Sequence, residues 1–251
     1  MIIDTHCHLV SEYDDLEEVI KRMGNNIMIV SAANTNDFKE ITHLCEKHSN
    51  IYGTIGIHPE FANEYKEEDL KLVEKYLSHP KIVGVGEIGL DYYWVKDNKD
   101  KQKELFIKQI HLANKHNLPI VVHSRKALED TYNIIKDEKD IHIKCDLHCY
   151  SGTLEMAKKF IELNTVFGIG GVLTFEKYKK LNELVKELDL KHIVLETDSP
   201  YLTPEPHRGK KNEPIYIEYV ASKIAQIKRI NLEKVVDITT ENALSLFDIK
   251  I

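Results

Sequence analysis

Short apolar runs rich in β-branched residues alternate along the chain with longer stretches in which apolar positions recur every three or four residues. This alternation predicts repeated strand–helix units around a parallel sheet. Eight strands are expected, over Ile2–His6, Ile27–Ser31, Ile51–Ile57, Ile82–Glu87, Pro119–His123, Ile143–His148, Thr165–Ile169 and His192–Thr197. Between them, Phe106, Ile110 and Ala113 mark one helical stripe, and Leu181, Leu184, Val185 and Leu188 another. A final helix is predicted over Leu232–Phe247 with Asn231 as its N-cap. The segment Thr203–Pro214, rich in proline, glycine and charge, reads as a loop after the eighth strand rather than a linker. No internal repeat interrupts the pattern, so the expected architecture is α/β, a single (β/α)8 TIM barrel spanning residues 1–251.

Composition narrows this picture without changing it. A length of 251 residues suits one such barrel or two small domains, and 42% hydrophobic with 30% charged residues is ordinary for a chain that buries a core. No run approaches the roughly 20 apolar residues that span a bilayer, and the opening MIIDTHCHL lacks the regions of a secretory signal, so a cytoplasmic protein is expected. Cys7, Cys45, Cys145 and Cys149 are few and scattered, which favours reduced thiols over disulfides. Cys145 and Cys149 lack the second close pair that a thiolate metal site would need. A net charge of -7 argues against general coating of nucleic acid, so any anionic substrate would require bound cations and local basic residues.

The suspicious ionisable residues fall at the carboxyl ends of the expected strands, where such barrels place their active sites. His6 and His8 are one residue apart, so strand alternation puts both imidazoles on one face. Glu87 ends the fourth strand, His123 the fifth, His148 the sixth, and Asp198 follows the eighth. Singly, each has an ordinary structural reading as a hydrogen-bonded residue at a strand end. Jointly, six such groups at one mouth would be a costly polar cluster without a cation, and they suit two divalent ions better than one. A natural division gives His6, His8 and Asp198 to one ion, His123 and His148 to the other, and Glu87 to both. Zinc, manganese or magnesium are candidates, with imidazole favouring the first two. Such a pair serves hydrolysis at phosphorus, with Asp198 as candidate general base or as a ligand alone. Glu196, two residues before Asp198, is expected to face the same cavity, as a ligand to a third cation or an acceptor that orients a ligand.

At these residues the sequence resembles the TatD-related deoxyribonuclease family of metal-dependent hydrolases. The resemblance rests on DTHCHL at Asp4–Leu9, GIHP at Gly56–Pro59, GEIGLDYY at Gly86–Tyr93, HSRKA at His123–Ala127, HCYSG at His148–Gly152 and LETDSPYLTP at Leu195–Pro204. PHRGKKNEP at Pro206–Pro214 and the terminal ENALSLF extend it over nearly the whole chain. It implies a barrel of the metal-dependent hydrolase type, divalent metals, hydrolysis of DNA from the 3′ end, and ligand roles for His6, His8, Glu87, His123, His148 and Asp198. Three positions depart from the family pattern: Glu60 after His58 and Pro59, Tyr150 where phenylalanine is frequent, and Asn164 in place of a common glycine.

His58 and Arg125 are candidates to hold a substrate phosphate, against structural readings as a turn histidine and an ion-paired arginine. Arg208, with His207, Lys210 and Lys211, forms the basic cluster on a loop expected at the active face. Tyr92, Tyr93 and Trp94 offer either a stacking surface for an unpaired base or a seal for the barrel rim. The expected partner is DNA with single-stranded or frayed ends, with neither a membrane nor an obligatory protein partner. The rival functions are a barrel hydrolase of ester or amide bonds, such as a D-aminoacyl-tRNA deacylase, and a non-catalytic, metal-stabilised binding protein. Against cyclic-amide chemistry, the fourth strand supplies Glu87 rather than the lysine that many barrel amidohydrolases carbamylate.

Overall fold

Strands covered on both faces read as nearly unbroken apolar runs, and those runs assemble here into one parallel sheet. The computed structural model describes residues 1–251, with eight strands hydrogen-bonded in chain order. They are β1 (Ile3–Cys7), β2 (Ile27–Ser31), β3 (Ile51–Ile55), β4 (Ile82–Asp91), β5 (Ile120–Arg125), β6 (Cys145–Leu147), β7 (Thr165–Ile169) and β8 (Ile193–Leu195). The seam between β8 and β1 closes just beyond the strands, where Asp198 N–H donates to the His6 carbonyl at 2.9 Å and His8 N–H to the Ser199 carbonyl at 2.7 Å. The sheet is therefore a barrel whose carboxyl end is tied together around His6, His8 and Asp198.

Helices cover the outer face, including Lys99–His116, Ile217–Lys228 and Leu232–Phe247. The last begins where the sequence predicts, and Asn231 caps it by accepting from Glu233 N–H at 2.9 Å. Its end carries Leu246 and Phe247 into a buried cluster with Ile29, Val121 and Val194 of the strands. Two residues further along the same strands stand Ser31, His123 and Glu196. The period of two thus sets polar site residues directly above an apolar plug. No helix is long and apolar enough to cross a membrane.

Several strand ends differ from expectation. β4 continues past Glu87 because Leu90 and Asp91 still pair with Ser124 and Arg125 of β5. β6 and β8 stop earlier than expected, and Cys149 and Asp198 turn at φ of 48° and 53°, so His148 and Asp198 stand just beyond their strands. The Thr203–Pro214 segment is irregular, as expected, and is pinned by Asn212, whose side-chain amide donates to the Thr197 carbonyl at 2.9 Å and the Tyr201 carbonyl at 2.6 Å.

Candidate metal centre

A cavity of about 740 Å3 opens at the carboxyl end of the barrel, and His8, His58, Glu87, His123, His148 and Asp198 are among its lining residues. His6 is fully buried beneath it. All six residues expected to bind metal therefore meet at one place, joined by His58.

Glu87 is the hub. Its Oε2 lies 3.4 Å from His6 Nε2 and 3.7 Å from His8 Nε2. Its Oε1 lies 2.9 Å from His123 Nδ1, 2.8 Å from His148 Nε2 and 3.7 Å from His58 Nε2. Asp198 Oδ1 faces the first pair, 3.8 Å from His6 Nε2 and 3.6 Å from His8 Nε2. Within each pair the cavity-facing nitrogens are 3.2 Å apart. Three sets of donors stand close enough to share an ion: His6, His8 and Glu87; His6, His148 and Asp198; and His58, Glu87 and His123.

The opposite nitrogens explain why these rings point as they do. The Ser31 carbonyl can only accept, so His8 donates to it from Nδ1 across 3.1 Å, leaving the Nε2 lone pair toward the cavity. His6 Nδ1 is 3.1 Å from the Ser31 hydroxyl, which accepts from the Thr54 hydroxyl at 2.9 Å. His123 donates from Nε2 to Asp91 Oδ2 at 3.0 Å. Partners of this kind fix ring orientation and tautomer in metal-binding histidines.

The charges respond to this crowding. Burial, and then the neighbouring His148, pushes His6 down to about 4. Burial also disfavours charge on His8 and His123, yet carboxylates outweigh it and hold both up to about 9, Asp198 and Glu87 for His8, Asp91 and Glu87 for His123. Glu87 is held well below the usual carboxylate range despite burial, by His148, His58 and His6. Asp198 is likewise lowered against burial, chiefly by the adjacent His8, whose Nε2 lies 3.6 Å from Oδ1. Left alone, the carboxylates draw protons onto two imidazoles. A site that recruits positive charge in this way, with nitrogen and oxygen donors converging, fits divalent cations.

Glu196 does not line the cavity. It is fully buried under His148, with Oε1 accepting from Cys149 N–H at 2.8 Å and Oε2 3.8 Å from His148 Nδ1, and Oε2 and Nδ1 have no hydrogen-bond partner. Burial, and then Asp146 and Asp198, raises its carboxyl well above the usual range. Asp146, also buried with neither oxygen partnered, is raised by burial to about 7.

The expected substrate-holding residues divide. His58 Nδ1 faces Glu60, 3.3 Å from its backbone N and 3.4 Å from Oε2, and its Nε2 faces the cavity. Arg125 stands on the rim, but it faces aromatic rings rather than an acid, 4.3 Å from the Tyr93 centroid and 5.3 Å from that of Trp94. Arg208 is not among the residues lining the cavity, and its guanidinium stacks 4.0 Å over Phe175. In the same loop His207 stacks on Tyr216 at 4.4 Å, and Lys211 donates to the carbonyl of Glu12, a residue of the cavity wall, at 2.5 Å. The loop folds onto neighbouring aromatics and backbone, which a charge run in the sequence does not reveal. All four cysteines are free thiols.

Asp91 is the functional residue that sequence reasoning missed. Ending the fourth strand at Glu87 hid it, although Glu87, Gly89 and Asp91 share one face by alternation. Ser31 and Thr54 carried no signal, because a hydroxyl on a strand is common without any such task.

Comparison with known proteins identifies the family. The family model described as TatD related DNase matches residues 3–248. The metal-dependent hydrolase YabD of Bacillus subtilis (strain 168) is 43% identical over 254 residues, covering 99% of this chain and 100% of that protein. A metal-dependent hydrolase of Buchnera aphidicola subsp. Acyrthosiphon pisum is 36% identical over 265 residues, with 99% of each chain covered. Among solved structures, YJJV, a TatD homolog from Escherichia coli K12, superposes with a TM-score of 0.91 at 27% identity, covering 99% of this chain and 98% of that one.

Proposed function

This chain belongs to the TatD related DNase family, and from that premise we propose that it is a metal-dependent hydrolase of DNA phosphodiester bonds, shortening single-stranded or frayed ends from the 3′ side. Two pairs of imidazoles face the two oxygens of one buried carboxylate, Glu87, and that arrangement carries the reading. His6, His8 and Asp198 with Glu87 Oε2 would hold one divalent cation, and His123 and His148 with Glu87 Oε1 a second. Cations in such a site polarise a phosphodiester and make water acidic enough to supply hydroxide near neutral pH.

The chain's own residues supply the remainder. Asp198 is half-buried, lines the cavity and keeps an ionised carboxylate, which suits it to accept the proton of the attacking water as the phosphorus–oxygen bond to the leaving nucleotide breaks. His58 turns Nε2 toward the cavity, where it would donate to a phosphate oxygen. Glu196 lies under His148 instead of in the cavity, which favours a supporting role over a third cation site.

The test is release of nucleotides from end-labelled single-stranded DNA by metal-stripped protein resupplied with magnesium, manganese or zinc. Shortening from the 3′ end that requires metal and vanishes in folded Asp198→Asn is the expected result. Folded wild-type protein that cleaves DNA with none of the metals would overturn the proposal and direct attention to carboxylic esters and aminoacyl-tRNA.

A further inference from the structure

The three aromatics after Glu87 do not share one environment. Tyr92 is half-buried, and its hydroxyl donates to Asp130 at 2.7 Å, so it packs the rim. Tyr93 and Trp94 do not seal anything: they are 43% and 63% exposed. Trp94 lines the mouth of the cavity, on the same wall as Arg125 and His123. Leaving an indole in water forgoes burial worth more than that of most side chains, so an exposed, fixed tryptophan beside an active cleft marks a contact surface.

The surface is also braced by its neighbours. Tyr93 and Trp94 meet edge to face at 4.8 Å, and the Arg125 guanidinium lies over both rings. Both backbone N–H groups donate to Asp91 Oδ1, at 2.8 Å from Tyr93 and 2.9 Å from Trp94. The other oxygen of that carboxylate accepts from His123. One side chain therefore ties the backbone of the aromatic pair to His123 at the cleft. A ring that docks there has little ordering entropy to overcome.

We propose that Trp94, braced edge-on by Tyr93 and flanked by Arg125, is the stacking surface for an unpaired nucleobase flanking the phosphodiester in the cleft, an inference that rests on the nucleic-acid reading above. Planar rings offer every base a sequence-tolerant contact, and the guanidinium adds attraction for both the base and the neighbouring phosphate. A base held in a duplex is stacked on both faces and cannot occupy the platform. The site thus selects open ends without reading sequence.

Trp94 is the single tryptophan of the chain, so intrinsic tryptophan fluorescence reports on this surface alone. Metal-supplemented protein is titrated with a short thymidine oligonucleotide carrying neutral, uncleavable methylphosphonate linkages, and with the same backbone lacking its bases. Concentration-dependent quenching by the first and none by the second is expected. In parallel, a dye-labelled single strand should bind Trp94→Ala about 10-fold more weakly than wild type and Trp94→Phe within about 3-fold of it. The exposed position leaves folding intact, which circular dichroism verifies. Equal quenching by the abasic backbone, absence of quenching, or unchanged binding by Trp94→Ala would each overturn the proposal. Cleavage by wild type and Trp94→Ala alike without quenching would sink the stacking site and leave the nuclease standing, whereas base-specific quenching without any cleavage would do the reverse.

Discussion

Asp91 Oδ2 accepts from His123 Nε2 at 3.0 Å, on the side of the imidazole away from Glu87, whose Oε1 is 2.9 Å from Nδ1. The ring is thus clamped between an acceptor that sets its orientation and the carboxylate it shares with His148. Asp91→Asn keeps an oxygen for the Tyr93 and Trp94 N–H groups while removing the negative charge beside His123. We expect metal affinity to fall by roughly 10- to 100-fold with the fold retained. Competitive chelator titration measures this, and an unchanged affinity would show that Asp91 only caps its loop.

Glu196 offers a paired test of a buried acid. Because burial and the nearby Asp146 and Asp198 raise its carboxyl well above the usual range, uncharged glutamine is a close mimic that still accepts from Cys149 N–H. Glu196→Gln should alter stability by less than about 0.5 kcal/mol. Glu196→Ala leaves that N–H unpaired and should cost about 1–3 kcal/mol. Urea denaturation distinguishes the two, and equal losses would mean that the charged form is the native one.

Gly168 has no side chain because Glu196 occupies the space. A Cβ there would stand 2.1 Å from Glu196 Oε2 and 3.1 Å from His148 Cα. Gly168→Ala should destabilise the protein by about 1–3 kcal/mol and weaken metal uptake by displacing His148. Wild-type stability together with wild-type metal affinity would refute the close approach.

Removal of metal should be visible in thermal unfolding. A cation bound at 100 times its dissociation constant adds about 2.7 kcal/mol to the folded state. Differential scanning calorimetry should therefore show a lower midpoint after chelation and recovery on adding manganese or zinc. A midpoint indifferent to both would argue that the clustered imidazoles and carboxylates hold no ion.

Much of the architecture is legible in residue order because periodicity is local information. β2 and β7 occupy the segments expected of them, and the helix Leu232–Phe247 starts at its expected cap. Alternation along β1 and the placement of Glu87, His123, His148 and Asp198 near strand ends were enough to assemble the candidate metal donors. Strand length was less legible: whether β4 stops at Glu87 or runs to Asp91 depends on pairing with β5, which no local pattern encodes.

By itself, then, the sequence determined the repeated strand–helix order, the candidate donor residues and the family to which they point, since each depends on spacing along the chain. Tertiary structure alone decided which Glu87 oxygen faces which histidine pair, that Asp91 and Ser31 orient the rings, and that Arg208 stacks on Phe175 while Trp94 stands in solvent at the cleft. Those relationships join side chains from different strands and loops. Their physical cause is the closure of the barrel, which brings together groups as far apart in the chain as Asp4 and Thr197, whose hydroxyl donates to the Asp4 carboxylate at 2.6 Å.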